Sequence, residues 1–250
     1  MILTYDGSLC GFLCLLGRAI KERIDVSDIQ RRTQPGTADL FDQEQRIHND
    51  PEWAAKVASG LESKLGRGFM ITFAQAFYSE EEGVESDLLA VTRRALREGA
   101  SIMNHLAEHP VGWVHFVAQK SNRERHRLLG LLRFQQLTDG SYLARTSPRC
   151  NVVPLLGSHF AKRLGDQRWL IVDEKRKLGI WGEKRKWSVV ENIAISEELT
   201  LHDNEQKVAD LWRCFYHNIS NPGRHNPKLR QQFMPKMYWQ YLTEMQPYMP

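Results

Sequence analysis

A chain of 250 residues, 42% hydrophobic and 26% charged, is long enough to bury a proper core and excludes disordered or collagen-like composition. Its net charge is +4 and its mean hydropathy −0.48, and no apolar run approaches the roughly 20 residues of a membrane span, so no membrane is expected as a partner. The cysteines, at positions 10, 14, 150 and 214, form neither a CxxC pair nor a dense disulfide framework, which fits a reducing cytoplasm.

The opening stretch, MILTYDGSLCGFLCLLG, lacks a basic n-region and is interrupted by Asp6, so it predicts strand and helix rather than a signal sequence. Ile2 to Tyr5 reads as a strand and Asp6-Gly7-Ser8 as a turn. Ser8 then caps a helix whose apolar residues include Leu9, Phe12, Leu13, Leu16 and Ile20. Cys10 and Cys14 share a helix face, but with no third ligand nearby they read as small buried residues, and no metal is expected. Residues 25–50 read as a polar surface excursion around Gln34-Pro35-Gly36, with one short strand at 39–41. Asp50-Pro51-Glu52 combines a cap, a proline at the first position and an acid in the first turn. Helical patterns follow over 51–65, 68–79, 84–98 and 101–107, with Gly66, Gly83 and Gly99 as breaks. Glu80-Glu81-Glu82 reads as a solvated loop or helix start rather than a cation site.

A long helix is predicted from Val111 to Gly130, its second half dense in basic residues. A face of that kind either lies along a phosphate backbone or is ordinary solvated surface. Next comes a nearly alternating strand over 132–137, the hairpin pair Asp139-Gly140, and a return strand over 142–145. From Val152 to Leu164 apolar residues recur every three or four positions, with Asn151 at the N-cap position and Pro154 in the first turn. Trp169 to Val172 is a short apolar strand, and Gly179 to Trp187 is its return. A helix over 197–218 ends at Asn221-Pro222-Gly223, and the aromatic, basic tail starts a further helix near Pro235.

The fold class expected is α+β: a helix-rich N-terminal half, a mixed, mainly antiparallel sheet built from two β-hairpins flanking a helix, and C-terminal helices. We read 1–250 as a single domain in four sections. These are a strand, helix and excursion (1–50), an acidic helical region (51–112), a basic hairpin–helix–hairpin core (113–187) and the C-terminal helices (188–250).

Charge is strongly segregated. Residues 113–187 carry 16 Lys or Arg against 6 Asp or Glu, whereas residues 1–112 carry 12 against 17. The modest overall charge therefore hides a basic middle of +10. Lys175-Arg176-Lys177 and Lys184-Arg185-Lys186 flank Trp181, a combination in which cations hold phosphates and an indole stacks on a base. Arg133, Tyr142, Arg145 and Arg149 on the first hairpin extend the surface, and Lys236 adds a cation in the tail. The plainer reading makes Trp181 and Tyr142 core residues and the lysines solubilisers of a hairpin edge. Charge segregation favours nucleic acid, without distinguishing DNA from RNA. GxGxxG, Walker, HExxH, GxSxG and CxxxCxxC signatures are absent. The alternative is an enzyme acting on a nucleobase or phosphodiester, with His159 and Asp173 as acid/base candidates, the carboxylate orienting the imidazole; a lone histidine on a partly apolar helix is more often a packed residue.

Several motifs occur together in one order. Tyr5-Asp6-Gly7-Ser8 with Gly11-Phe12-Leu13 opens the chain, and His126-Arg127 with Gly130 precedes Arg133-Phe134. Asp139-Gly140, Tyr142, Asn151-Val152, Pro154-Leu155-Leu156, His159-Phe160, Asp166 and Trp169-Leu170-Ile171 with Asp173 follow. Asn226-Pro227, Met234-Pro235-Lys236, Tyr238-Trp239 and Leu242-Thr243-Glu244 close the series. In these the chain resembles a bacterial family of DNA-metabolism and DNA-repair proteins built on a domain of unknown function. Some members are fused to uracil-DNA glycosylase-like domains, and stand-alone members accompany a radical-SAM protein of DNA modification or repair. The resemblance implies a DNA-binding accessory protein with DNA and that radical-SAM protein as partners. It implies no cofactor of its own, since the iron–sulfur cysteines belong to the partner, and base excision does not follow from it, since the glycosylase domain of the fused members is absent. Polar family-matched positions, Asp6, Arg133, Asn151, His159, Asp173 and Lys236, are the candidates for a shared site, together with Tyr238 and Trp239. A protein-binding adaptor that meets no nucleic acid remains a third reading.

Overall fold

The computed structural model describes residues 1–31, 44–195, 200–219, 223 and 226–246. The chain forms two compact units, Met1–Ser121 and Asn122–Pro250, each with its own hydrophobic core. The fold is α+β, and among the described residues no helix is long and apolar enough to cross a membrane.

In the N-terminal unit, strand β1 (Ile2–Tyr5) is the centre of a three-stranded parallel sheet, between β2 (Asp28–Arg31) and β3 (Glu44–Arg46). The excursion read over 25–50 therefore contributes two strands beside β1. Their sequences, DIQR and EQR, are polar and too short to show an apolar alternation, which is why the pattern hid them. The strand expected at 39–41 lies outside the described residues. Helix α1 (Leu9–Lys21) is capped by Ser8, whose Oγ accepts the Gly11 N–H at 2.9 Å. Helix α2 (Pro51–Phe77) turns at Gly66, where φ is +83°, a value that favours glycine. Helix α3 (Val84–Glu98) follows as expected, and the predicted helix at 101–107 is a 3-10 turn at Ala100–Asn104. Helix α4 (Val111–Leu131) carries the chain from one unit into the other.

In the C-terminal unit the described strands order as β4 (Phe134–Gln136), β5 (Tyr142–Thr146), β6 (Trp169–Asp173), β7 (Leu178–Glu183) and β8 (Lys186–Val190). Only the β5–β6 junction is parallel. It is crossed by a 3-10 turn, Val153–Leu156, that leads into helix α5 (Gly157–Leu164). The return strand expected over 179–187 is two strands. Lys184 and Arg185, both at positive φ (49° and 62°), make a two-residue turn, and β8 pairs back on β7. That φ pair is the geometry of a tight hairpin, which Asn and Gly usually mark and which Lys-Arg conceals. Asn151 is not a helix cap either: no side chain caps the 3-10 turn, and Asn151 Oδ1 is buried without a partner.

Register places Phe134, Tyr142, Ala144, Trp169, Ile171, Leu178 and Ile180 on one sheet face, packed with Val153, Leu156 and Phe160. Gly182 is obligatory opposite Trp169, since a Cβ there would stand 2.1 Å from the indole. The helix expected from 197 is α6 (Glu205–Ile219), preceded by a short pairing of Leu137 with Leu201; residues 196–199 lie outside the description. Helix α7 (Pro227–Phe233) is capped by Asn226, and the tail helix expected near Pro235 is a 3-10 turn, Lys236–Tyr241.

Glu124 ties these parts together. Its buried carboxylate accepts the N–H groups of Arg149 (2.9 Å) and Cys150 (2.7 Å) and the hydroxyl of the buried Tyr238 (2.5 Å). Burial, reinforced by that carboxylate, holds the Tyr238 phenol far above its ordinary range. Glu124→Ala removes the acceptor of the Cys150 and Arg149 amides and of the Tyr238 hydroxyl, so we expect it to cost about 3–5 kcal/mol, and Tyr238→Phe about 1 kcal/mol. Urea unfolding followed by tryptophan emission checks this, since Trp169, Trp181, Trp187, Trp212 and Trp239 all belong to this unit.

Candidate nucleic-acid interface

Strand β7 separates two basic loops. At one end, β6 finishes in Asp173, which is fully buried. Its Oδ1 accepts the Lys175 N–H at 3.0 Å, and its Oδ2 receives Arg176 Nη1 at 2.7 Å. Arg176 also donates to the carbonyls of Pro148 (3.0 Å) and Arg149 (2.6 Å). Burial pushes the Asp173 carboxyl upward, and the Arg176 contact works against that shift. A carboxylate spent on its own turn is a structural clamp. Its effect is to fix the loop and leave Lys175 and Lys177 exposed, with Lys177 at φ 51°.

At the other end, the β7–β8 turn exposes Lys184, Arg185 and Lys186. The Arg185 N–H donates to the Gly165 carbonyl at 2.9 Å, which brings the turn beside the end of α5, where Lys162 and Arg163 are exposed. Lys162, Arg163, Lys175, Lys177, Lys184, Arg185 and Lys186 make no ion pair among the described residues. From Lys177 to Lys184 the strand covers roughly 20 Å at about 3.3 Å per residue. Trp181 stands between them, half-buried, on the sheet face opposite α5 and beside Leu170 and Ser188. The two basic triplets and the indole thus form a line rather than a cluster.

The other sequence candidates fall elsewhere. Tyr142 packs on the core face. Arg133 grips the buried carboxylate of Glu244 with two nitrogens, at 2.6 and 3.1 Å, and stacks over Trp212 with 5.3 Å to the ring centroid. Arg145 lies 3.6 Å from Glu174, which also accepts the Tyr241 hydroxyl at 2.7 Å. Arg149 is exposed, near the Asp173 end. Tyr238 is the internal partner of Glu124, while the Trp239 indole lies under Arg230 (5.3 Å) and Lys236 (6.0 Å). Asp6, in the other unit, accepts the N–H (3.0 Å) and hydroxyl (2.7 Å) of Ser8 and so closes the β1–α1 turn.

His159 and Asp173 are not joined by a hydrogen bond. The histidine stands edge-on to Phe160 with Nε2 buried and unpartnered, and burial, then Arg163 and Arg125, lower its pKa. No acid–base pair is assembled from the two. Among the described residues no group of three or more His, Cys, Asp or Glu side chains is placed to hold a metal ion. Sequence reasoning missed Lys162 and Arg163, whose nearness to the Lys184 turn depends on the β8 hairpin, and it missed Glu124, which no motif marks.

These features define an α+β protein whose C-terminal unit presents a mixed sheet with basic loops at both ends of one strand. Residues 82–244 match the family model DUF4130, described as a domain of unknown function, and the chain belongs to that family. Comparison with curated proteins and with solved structures finds no match.

Glu244 supplies a pH signature. Burial raises its pKa, but the Arg133 and Trp212 hydrogen bonds outweigh it and leave the carboxyl below its ordinary value of 4.5. A depressed carboxyl contributes stability above its unfolded pKa and loses it as pH falls through the folded one. Arg133→Met should therefore cost about 3 kcal/mol near pH 7. The difference should narrow as pH falls below the ordinary 4.5, read from urea midpoints at a series of pH values.

Proposed function

We propose that this protein binds DNA along β7 and serves as an accessory protein in DNA repair or modification, acting beside a radical-SAM enzyme. The observation that carries the reading is the line of Lys175, Lys177, Trp181, Lys184, Arg185 and Lys186. Cations without ion-pair partners stand at both ends of a strand that carries a half-buried indole. Cations track phosphates and release counterions, whereas an indole stacks on any base at about 1–3 kcal/mol. A line of roughly 20 Å suits a few nucleotides of a single strand. Repair or modification as the setting, and the radical-SAM partner, follow from the family resemblance. The enzyme reading loses support because the carboxylate it needs is committed to the Arg176 turn.

Fluorescence anisotropy of the intact protein against single- and double-stranded DNA and matched RNA, across a salt series, tests the reading. Log affinity should fall linearly with log salt. Exchanging Lys184, Arg185 and Lys186 for glutamate should flatten the slope by about 2 for a single strand, at about 0.7 per phosphate contact. Trp181→Ala should weaken single-strand binding about 5- to 150-fold with the slope unchanged. No binding at low salt would refute the proposal. Co-purification with the radical-SAM protein from nuclease-treated lysate tests the partnership separately, and its failure would remove the partner from the account.

A further inference from the structure

Helix α6 has no buried residue and is held to the rest of its unit at separate polar points. Glu205 Oε1 accepts the Gln136 N–H at 2.9 Å, Trp212 Nε1 donates to Glu244 at 3.0 Å, and Arg213 Nε donates to the Thr243 carbonyl at 3.2 Å. Point attachments without a continuous apolar seam leave a gap. It is a cavity of about 460 Å³ between α6, the first hairpin and the C-terminal 3-10 turns, within the range of small-molecule sites, roughly 300–1,000 Å³.

The polar groups of this cavity divide into committed and uncommitted ones. Arg133 is engaged by Glu244 and Arg213 by Asp210 at 2.7 Å. Among the described residues Arg145 has only Glu174, at 3.6 Å, and its side chain is 47% exposed. The side-chain amides of Gln135 and Gln240 line the cavity and have no protein partner among the described residues. Glu205 is the acid of the lining, with Oε1 already accepting from Gln136. Tyr241 adds flat aromatic wall, whereas the Trp212 ring is already covered by Arg133 at 5.3 Å and stacked with Phe215 at 5.7 Å.

An unpartnered amide offers a donor beside an acceptor, the pattern that pairs with the edge of a nucleobase. An arginine with unused donors suits a phosphate, and the phenol ring of Tyr241 suits a flat base. We infer that this cavity holds one nucleotide unit, with its base at Gln135, Gln240 and Tyr241 and its phosphate at Arg145. A duplex is too wide for such a volume. The nucleotide comes either free or as an unstacked unit of a bound strand, and the chemistry is the same for both. The second source rests on the DNA-binding reading. Glu174, which Arg145 faces, directly precedes Lys175, so the cavity neighbours one end of the basic line.

Isothermal titration of the intact protein with the four deoxynucleoside monophosphates, and with a ten-nucleotide single strand, separates these cases. The variants are Gln135→Leu with Gln240→Leu, Arg145→Ala, and the glutamate triple at 184–186, each checked for native circular dichroism. We expect the leucine pair and Arg145→Ala each to weaken a mononucleotide at least tenfold, with the triple variant unchanged toward it. Binding confined to the oligonucleotide, yet still weakened tenfold by the leucine pair, assigns the site to a nucleotide within a strand. Mononucleotide binding in a protein that ignores oligonucleotides keeps the cavity and removes the basic line. If the leucine pair alters neither ligand, the inference is overturned, whatever the triple variant does.

Discussion

In the C-terminal unit the carboxylate of Glu124 accepts from two backbone amides and a tyrosine hydroxyl, and so joins α4, the segment after β5 and the C-terminal 3-10 turn. A buried charge is costly unless it is fully hydrogen-bonded, so each of those segments has to stay where it is. Asp173 and Glu244 repeat the device. Asp173 fixes the β6–β7 loop through Arg176, and Glu244 fixes the tail against Arg133 and Trp212. Three buried carboxylates thus set the loops of a sheet whose apolar face is already packed on α5.

This sorting explains what a strongly basic stretch does in a folded unit. Arginines, with planar multidentate forks, take the internal positions: Arg176 holds one carboxylate and two carbonyls, and Arg133 grips a second carboxylate with two nitrogens. Lysines, which are compact and strongly hydrated, make up most of the loop tips of β7, with Arg185 beside them. The surface that remains is one of point charges on long stems with an indole between them. On the proposed reading, such a surface would follow a backbone rather than read base sequence. Loop tips held by buried clamps would need little reordering on binding.

Much of this unit could be read from the chain. The alternation through 132–137, the Asp139-Gly140 turn and the apolar run at Trp169 describe β4, β5 and β6, and the helical period after Val152 describes α5. The failures share a physical form. The β7–β8 turn is built on Lys184-Arg185 at positive φ, where composition signals only charge. Strands β2 and β3 are polar, and nothing in a period-2 pattern betrays a strand whose partner supplies most of the apolar contact. Asn151 has the composition of a cap without the geometry of one. At the candidate site, the basic triplets and Trp181 were legible as types. That the triplets stand at opposite ends of one strand, and that Arg133 and Arg176 turn inward, depends on register and on the distant partners Glu244 and Asp173. Long-range pairing of that kind has no local signature.

The measurement that meets the central claim most directly is photo-crosslinking of the intact protein to a single strand carrying 5-iodouracil, followed by peptide mapping. The account predicts that crosslinks concentrate on the peptide containing Trp181 and on those bearing Lys175 and Lys184 to Lys186, and that added salt suppresses them. Crosslinks confined to the N-terminal unit, or a crosslinked strand that leaves all of β7 unmarked, would contradict it.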